Sequence, residues 1–314
     1  MKSTEDIEIS LVVPVYWSEV TLIELYSRLV RTLEGMSLNF ELIFVDDCSG
    51  DDSWTLIKGL VENDIRVRGL RLNRNYGQHN ALLAGIRVAK GKFLITLDDD
   101  LQHPPEEIPS LYRAIQKGFD VVYGVPEAEK HGFFRDITSK SLKYVLYKSM
   151  GVSIAKNISA FRIFRTDLRA AFANYFISTV NIDVLLTWGT SNFGSILVER
   201  EFRKNGSSNY SLSKLILHGL SMIVGFSVLP LRVAGLMGLI FTFFGFLVFG
   251  YVSLKYLFGE IPVPGFTFIV SIISIFSGAQ LLAIGVIGEY LAEVYQRSMG
   301  RPAYVCNEMI GDGV

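Results

Sequence analysis

Three aspartates, Asp98, Asp99 and Asp100, follow directly after the apolar run Phe93–Leu97. Carboxylates this close repel one another, so the cluster needs a cation nearby. Asp98 and Asp100 have the Asp-x-Asp spacing that can bridge a hard divalent ion, Mg²⁺ or Mn²⁺, to a diphosphate. Helix capping explains a single aspartate at a strand end, but it explains three in succession poorly. The run therefore predicts a metal and diphosphate site.

Polar or aromatic residues also end two earlier apolar runs. Pro14 and Tyr16 close the first run, and Asp46 and Asp47 close the second. Ligands of open α/β sheets gather at the carboxyl ends of the strands, so these residues are expected beside the aspartate cluster. Helix capping is an adequate alternative for Asp46 or Asp47. The chain has no P-loop and no Gly-x-Gly-x-x-Gly after its first strand, which argues against NTPases and dehydrogenases.

The elements that must position these residues alternate between strand and helix patterns. The predicted strands are Ile9–Val15, Phe40–Val45, Gly69–Leu72, Phe93–Leu97 and Asp120–Tyr123. The predicted helices are Glu19–Leu33, Ser53–Val61, Gln78–Val88 and Glu106–Gln116. Such alternation predicts an α/β domain with a mostly parallel sheet covered on both faces.

Two long runs without charge follow this domain, Val233–Leu254 and Ile261–Gly288. As helices they would be about 33 and 42 Å long, against about 30 Å for the hydrocarbon core of a bilayer. They are predicted to be two transmembrane helices joined by the turn Phe258–Pro264, with buried soluble helices as the alternative. The net charge of −1 gives no indication of nucleic-acid binding.

Basic residues flank the outer ends of the two runs, with Arg232 before the first and Arg297 after the second. This bias predicts that both termini are cytoplasmic. The polar start Met1–Ser10 has no signal-peptide pattern, and Cys48 and Cys306 match no metal or redox spacing. The predicted organisation is a cytoplasmic domain at 1–210, an interfacial amphipathic helix at 211–230, two spans at 231–291 and a cytoplasmic tail at 292–314. A core helix of the soluble domain is the alternative for 211–230.

Two longer motifs carry a resemblance to a known family. The stretches Leu72–His79, which reads LNRNYGQH, and Asp98–Glu106, which reads DDDLQHPPE, resemble the inverting family 2 glycosyltransferases that act on polyprenyl phosphates. That group includes dolichyl-phosphate mannose synthases, bacterial undecaprenyl-phosphate glucosyltransferases and the aminoarabinose transferase of lipid A modification. Pro230–Arg232 and Gly285–Leu291 match the helical hairpin of the bacterial members, so the resemblance covers nearly the whole chain.

The resemblance implies a GT-A fold and a role for each candidate residue. The nucleoside would be held by Pro14, Tyr16 and Asp46 or Asp47. The metal and the diphosphate would lie at Asp98, Asp100 and Gln102, and Asp99 would belong with the cofactor-binding residues. Phosphate groups would meet Arg135, Arg200, Arg203 and Lys204. A solvated basic face is the alternative for the last three of these residues.

The resemblance also implies the substrates and the setting. The partners would be a nucleotide-sugar donor, a polyprenyl phosphate acceptor and membrane lipid, with a tetrameric homo-oligomer as one assembly and the inner membrane as the location. The hairpin favours UDP-sugars, but UDP-glucose, UDP-N-acetylhexosamine, UDP-aminoarabinose and GDP-mannose all stay open.

Two other classes of protein are alternatives to this assignment. A transferase of a processive polysaccharide synthase would need a Gln-x-x-Arg-Trp motif that the chain lacks. A non-catalytic scaffold is the second.

Several positions depart from the family pattern. Trp17 and Ser18 stand where relatives have Asn-Glu, and Val125 stands where relatives usually have an arginine. The family carries an aspartate near a Phe-Arg pair, but Lys156–Arg162 contains no carboxylate. This supports a mechanism without a protein base, because a phosphate monoester with a second pKa of about 6 is already mostly ionised at cytoplasmic pH. A scaffold that has lost activity would also explain the missing carboxylate.

Overall fold

The computed structural model describes residues 7–126, 158–177, 180–199, 201, 229–258 and 265–311. The chain forms two compact units. One comprises Met1–Asn209 together with Gly300–Val314, and the other comprises Tyr210–Met299.

Within the described residues, eight strands form one sheet in the order β7-β5-β6-β4-β1-β2-β3-β8. The strands are β1 Ile9–Val15, β2 Phe40–Asp46, β3 Val67–Leu72, β4 Phe93–Thr96, β5 Val121–Pro126, β6 Arg162–Arg165, β7 Phe193–Val198 and β8 Cys306–Ile310. The helices are α1 Leu22–Gly35, α2 Ser53–Asn63, α3 Gln78–Val88, α4 Ile108–Ile115, α5 Ile182–Gly189, α6 Leu229–Leu257 and α7 Phe266–Ser298. Short 3₁₀ helices cover Pro105–Glu107 and Thr166–Phe172.

The strand directions bring the predicted site residues to one rim. β1 pairs in parallel with β2 and β4, and β2 pairs in parallel with β3, which confirms the predicted parallel sheet. β6 is antiparallel to both β4 and β5, and β7 is parallel to β5. The carboxyl ends of β1 to β5 and of β7 therefore lie at the same edge, which we call the catalytic rim. The amino end of β6 lies there too.

Two predicted helices differ from the observed ones at their first turns. The predicted helix Glu19–Leu33 begins instead at Leu22, because Ser18–Thr21 form a turn whose Ser18 carbonyl accepts hydrogen bonds from the N–H groups of Thr21 and Leu22. The predicted helix Glu106–Gln116 is divided into the 3₁₀ turn Pro105–Glu107 and α4. A proline in the first turn of each piece suits a helix start, because it removes only an N–H that has no intrahelical partner there.

The segment predicted to be a cytoplasmic tail, 292–314, contains the end of a helix and a further strand of the sheet. α7 continues to Ser298, and Cys306–Ile310 returns to the sheet as β8, antiparallel to β3. The Nε1–H of Trp54 donates to the Glu308 carboxylate at 3.1 Å, and the Lys58 ammonium lies 3.0 Å from the same group. Without β8 the outer edge of β3 would present unpaired backbone groups, and this strand pairs with them.

Two C-terminal helices, α6 and α7, are long and apolar enough to cross a membrane. Their candidate spans are Pro230–Val248 and Ile275–Ser298, and neither is buried within the protein. This agrees with the predicted hairpin and disfavours a buried-helix interpretation. Most of the predicted interfacial helix 211–230 and of the turn Phe258–Pro264 lies outside the described residues.

Helix α3 approaches the sheet closely at Gly85. A Cβ atom at this position would lie 2.4 Å from Cγ1 of Val12 in β1 and 3.1 Å from Cγ2 of Val45 in β2. Only hydrogen allows the helix to pack at this distance. The packing matters for the site because Gln78, in the first turn of the same helix, bonds the aspartate cluster.

We predict opposite stability effects for two helical Gly→Ala substitutions. Gly85→Ala should lower the free energy of unfolding by about 1–3 kcal/mol, because the new methyl group overpacks against Val12. Gly59→Ala in α2, where a Cβ would meet nothing within 4 Å, should raise it by about 0.5–1 kcal/mol. Both variants gain helix propensity, so the difference between them isolates the close contact. Thermal unfolding of the full chain in detergent measures both, and equal shifts would contradict the packing.

Candidate active site

The loop after β4 is held by two buried leucines that bracket the aspartates. Leu97 and Leu101 are almost fully buried, whereas Asp98, Asp99 and Asp100 are half-buried. Leu101 has a φ of 61°, a left-handed conformation that leucine seldom adopts. This turn lets both leucines reach the core while the carboxylates stay at the catalytic rim.

Each aspartate has a different hydrogen-bond partner. Asp98 Oδ1 accepts from Nε2 of Gln78 at 2.5 Å. Asp99 Oδ2 accepts from the backbone N–H of Tyr16 at 3.1 Å and from the Ser18 hydroxyl. Asp100 accepts from the backbone N–H of Gln102 at 3.1 Å and from the side-chain amide of the same residue. Asp99 thus fixes the loop after β1, while Gln102 orients Asp100.

The three clustered aspartates need a positive charge nearby to stay ionised. Burial is the main cause that raises the pKa of Asp98 to about 7, and the charges of Asp100 and Asp99 raise it further. Arg162 opposes this shift. Burial also raises the pKa of Asp99, against the effect of its hydrogen bonds from Ser18 and Tyr16. A divalent cation would reverse this balance by favouring the ionised carboxylates.

The donor set fits a hard divalent cation that is shared with a ligand. Among the described residues, no group of three or more His, Cys, Asp or Glu side chains is arranged to hold a metal. Asp98 and Asp100 offer carboxylate oxygens, which suit Mg²⁺ and Mn²⁺. Mg²⁺ usually takes one or two carboxylates and completes its shell with water and substrate phosphates. Two carboxylates beside a diphosphate are therefore sufficient.

The predicted nucleoside residues lie at the same rim but differ in exposure. Pro14 is buried within β1, and the Tyr16 side chain is 49% exposed at the end of that strand. Asp46 is fully buried, accepts from the Ser49 backbone N–H at 3.0 Å and lies 3.3 Å from Nε of Arg71. Burial raises the pKa of Asp46. The carboxylate of Asp46 therefore shapes the turn after β2.

Asp47 holds the Leu72–His79 motif at the carboxyl end of β2. Its two carboxylate oxygens accept the backbone N–H groups of Tyr76 and Gly77, each at 2.7 Å. Gly77 has a φ of 93°, a conformation that favours glycine. Burial raises the pKa of Asp47, and these two hydrogen bonds counteract the rise. Asp47 thus fixes the entry to α3, and its contact with a nucleoside stays a prediction.

Trp17 is a rim residue to which sequence analysis gave no role. Its side chain is 61% exposed, its φ is 57°, and its ring lies so close to Gly50 that a Cβ there would be 2.9 Å from Cζ2. The Tyr16 and Trp17 rings meet edge to face with centroids 6.3 Å apart. The signal was present, because Trp17 stands where the family pattern has asparagine.

The segment Lys156–Arg162 contains no carboxylate, but Asp183 supplies one to Arg162 from elsewhere in the chain. Arg162 is buried, its Nε–H donates to the Thr96 hydroxyl at 2.9 Å, and its Nη1 bonds and ion-pairs with Asp183. The Tyr123 hydroxyl donates to the same carboxylate at 2.9 Å. Asp183 lies in the first turn of α5, which Asn181 caps by accepting from the Val184 N–H. In the sequence, Asn181 marks the start of this helix, but no local pattern indicates that Asp183 pairs with Arg162.

The predicted phosphate-binding arginines and lysine lie outside the described residues. They are Arg135, Arg200, Arg203 and Lys204. Glu201, their neighbour, is described, and its backbone N–H donates to the carbonyl oxygen of Gln102 at 3.0 Å. The chain after β7 therefore reaches the loop that carries Asp98 and Asp100.

The sequence of this chain is similar to those of known proteins. The profile of the family "Glycosyl transferase family 2" matches residues 10–172. The undecaprenyl-phosphate 4-deoxy-4-formamido-L-arabinose transferase of Shewanella sediminis is 34% identical over 315 residues, covering 99% of this chain and 95% of the relative. The enzyme of the same name from Proteus mirabilis is 33% identical, covering 97% and 94%.

A solved structure agrees at the level of the fold. The glucosyl-3-phosphoglycerate synthase of Mycobacterium tuberculosis, crystallised with Mn²⁺, UDP-glucose and phosphoglyceric acid, superposes with a TM-score of 0.50 and 18% identity, covering 69% of this chain and 77% of that one. The mostly parallel sheet is thus that of a GT-A domain. By its profile match and its near-full-length relatives, this chain belongs to glycosyl transferase family 2 and is a glycosyltransferase.

Proposed function

We propose that this enzyme transfers a sugar from a nucleotide sugar, in the first place a UDP-sugar, to undecaprenyl phosphate or a similar polyprenyl phosphate, with inversion at the anomeric carbon. The observation that carries this proposal is the near-full-length similarity to two undecaprenyl-phosphate transferases, which extends through both apolar helices. The Asp98 and Asp100 pair at the rim supports a diphosphate-bearing donor. Because the named relatives transfer 4-deoxy-4-formamido-L-arabinose, its nucleotide derivative is the first donor to test.

The described side chains have separate tasks in this reaction. Asp98 and Asp100 would hold Mg²⁺ or Mn²⁺ against the donor diphosphate, with Gln78 and Gln102 keeping the two carboxylates in place. When bound, the cation stabilises the charge that develops on the leaving nucleoside diphosphate. Asp99 positions Tyr16, through the Tyr16 backbone N–H, at the rim where the nucleoside is expected.

The acceptor supplies its own nucleophile in this proposal. A phosphate oxyanion has no proton to lose, so the protein has to orient it and shield the negative charges from one another. We assign that role to Arg135, Arg200, Arg203 and Lys204, as the family resemblance implies. Arg162 adds a buried positive charge next to the aspartate cluster. The Asp183 carboxylate is already bonded to Arg162 and Tyr123, which makes it a poor base.

The apolar helices fit an acceptor that stays in the bilayer. We propose that α6 and α7 span the inner membrane as a hairpin, with the catalytic domain, the interfacial segment 211–230 and both termini on the cytoplasmic side. The basic residues Arg232 and Arg297 at the outer ends support this orientation. A tetrameric assembly stays a prediction from the family resemblance.

We predict that the purified full chain transfers sugar to undecaprenyl phosphate in a metal-dependent way. A panel of the four donors named above plus the nucleotide derivative of formamido-arabinose should give one preferred donor with Mn²⁺. EDTA should abolish transfer, and Asp100→Asn should lower kcat by about 10²-fold or more, because one of two metal carboxylates is lost. Asp167→Asn, at an exposed ion pair beyond β6 and near the opposite edge of the sheet, is the control. Full activity in EDTA, or hydrolysis without lipid product for every donor, would refute the proposal.

We predict that the rate at saturating substrates rises with pH through roughly 6 to 7, the range in which the lipid phosphate loses its second proton. Introducing a carboxylate with Ala160→Asp or Asn157→Asp should leave kcat unchanged or lower it, since the new charge repels the acceptor. Asp99→Asn should keep this pH profile even if kcat falls, because Asp99 positions Tyr16 and Ser18. A tenfold gain from Ala160→Asp, or loss of the pH dependence in Asp99→Asn, would show that a protein base operates.

We predict that the turn between α6 and α7 lies across the membrane from the catalytic domain. In a Cys48→Ser, Cys306→Ser background, Gly259→Cys should react with an impermeant maleimide only from the periplasmic side. Met299→Cys, at the end of α7, is the control and should react only from the cytoplasmic side. Labelling of both positions from the same side would contradict the hairpin.

A further inference from the structure

Glu201 contacts the loop after β4, although β7, which ends three residues earlier, lies three strands away from β4 in the sheet. β7 ends at Val198 on the same edge as β4, and β5 and β6 lie between these two strands in the sheet. Three residues later the backbone N–H of Glu201 donates to the Gln102 carbonyl oxygen at 3.0 Å. The segment after β7 is therefore attached by its backbone to the loop that carries Asp98 and Asp100.

A second attachment is made by the side chain of Arg28 in α1. Its Nε and Nη2 donate to the two carboxylate oxygens of Glu106 at 3.0 and 2.6 Å. Its Nη1 and Nη2 donate to the two oxygens of Glu201 at 3.2 and 2.6 Å. One guanidinium thus holds two carboxylates, each through both oxygens, and we call Arg28, Glu106 and Glu201 the rim latch.

The rim latch joins three parts of the catalytic domain. Arg28 is fixed by a helix whose Leu25 and Leu29 are fully buried in the core. Glu106 lies in the 3₁₀ turn that directly follows the loop carrying Asp98 and Asp100. A single exposed ion pair restricts the chain only slightly, but paired bidentate hydrogen bonds fix both the distance and the orientation of the groups they join. The hydrogen bonds that Arg28 donates to the Glu106 and Glu201 carboxylates raise its pKa, so it stays charged at any physiological pH.

We propose that Arg28 is a positioning residue for the acceptor phosphate, acting through Glu201. This rests on the proposed function, in which the basic residues around Glu201 bind that phosphate. Arg200 is covalently adjacent to Glu201, so fixing one residue limits the other to about 3.8 Å between Cα atoms. The donor diphosphate is assigned to Asp98 and Asp100, which have their own partners in Gln78 and Gln102. Loss of the latch should therefore affect the acceptor more than the donor.

Arg66 serves as a control for a purely structural role of Arg28, because it makes similar ion pairs within the same domain. Arg66 also binds two carboxylates, donating to Asp64 at 2.9 and 2.8 Å and to Glu34 at 2.9 Å. It directly precedes β3 and therefore lies at the edge opposite the catalytic rim. If ion pairing only stabilises the domain, Arg28→Met and Arg66→Met should behave alike.

Steady-state kinetics of the full-length enzyme test the proposal. Arg28→Met should lower kcat/KM for undecaprenyl phosphate by about tenfold, as expected when a reacting group is misplaced by less than 1 Å. The donor KM should change less than about twofold, and Arg66→Met should leave both constants near those of the parent. Glu201→Gln should resemble Arg28→Met, and the double variant should be no worse than either single one, because the two residues act through one contact. Additive losses, or equal losses for donor and acceptor, would overturn the proposal.

Hydrogen exchange separates failure of the latch from failure of the proposed function. Peptides that contain Glu199 and Glu201 should exchange faster in Arg28→Met than in the parent, whereas Arg66→Met should leave them unchanged. This measurement needs no substrate, so it remains decisive if the parent transfers nothing to a polyprenyl phosphate. Unchanged exchange in Arg28→Met would show that the latch does not hold the segment.

Discussion

The repulsion among three adjacent carboxylates at the end of β4 is the constraint around which the catalytic domain is arranged. Each carboxylate is tied to a different element, Asp98 to the start of α3, Asp99 to the loop after β1 and Asp100 to its own loop. With the cluster divided in this way, Asp98 and Asp100 would be left to bind the proposed cation, while Asp99 fixes the loop after β1. The half-buried position raises the electrostatic cost of the cluster, but it also strengthens any interaction with a bound cation.

The reversed strand β6 contributes to the same balance. Because β6 runs antiparallel to β4, its first residue, Arg162, lies opposite Thr96 and close to the aspartates instead of at the far edge of the sheet. Burying an arginine is costly unless its hydrogen bonds are met, and Asp183, Thr96 and Tyr123 form the surrounding network. A buried positive charge thereby lies close enough to Asp98 to oppose the rise in its pKa.

The sequence was sufficient for features that depend on local pattern. Apolar runs predicted the parallel strands, and uncharged length predicted the two apolar helices. The metal-binding role of Asp98 and Asp100 stays a prediction from their spacing. Features that depend on long-range pairing were not predictable. Arg162 meets Asp183 across 21 residues, Arg28 meets Glu201 across 173, and Trp54 meets Glu308 across 254. At such separations the topology of the sheet decides which side chains meet. A short stretch of sequence does not reveal that topology.

In the proposed reaction, the charges at the rim make the positioning of cations more important than a protein base. The protein supplies few metal ligands, so the cation and the donor diphosphate stabilise each other's binding. Even with both in place, three aspartates and a diphosphate leave the site strongly negative, and the acceptor is an anion as well. Attack on the sugar then depends on cations that approach from other parts of the chain. Arg200, Arg203 and Lys204 are candidates that neighbour Glu201 in sequence, and Glu201 itself is held beside the aspartate loop by the Gln102 carbonyl and by Arg28.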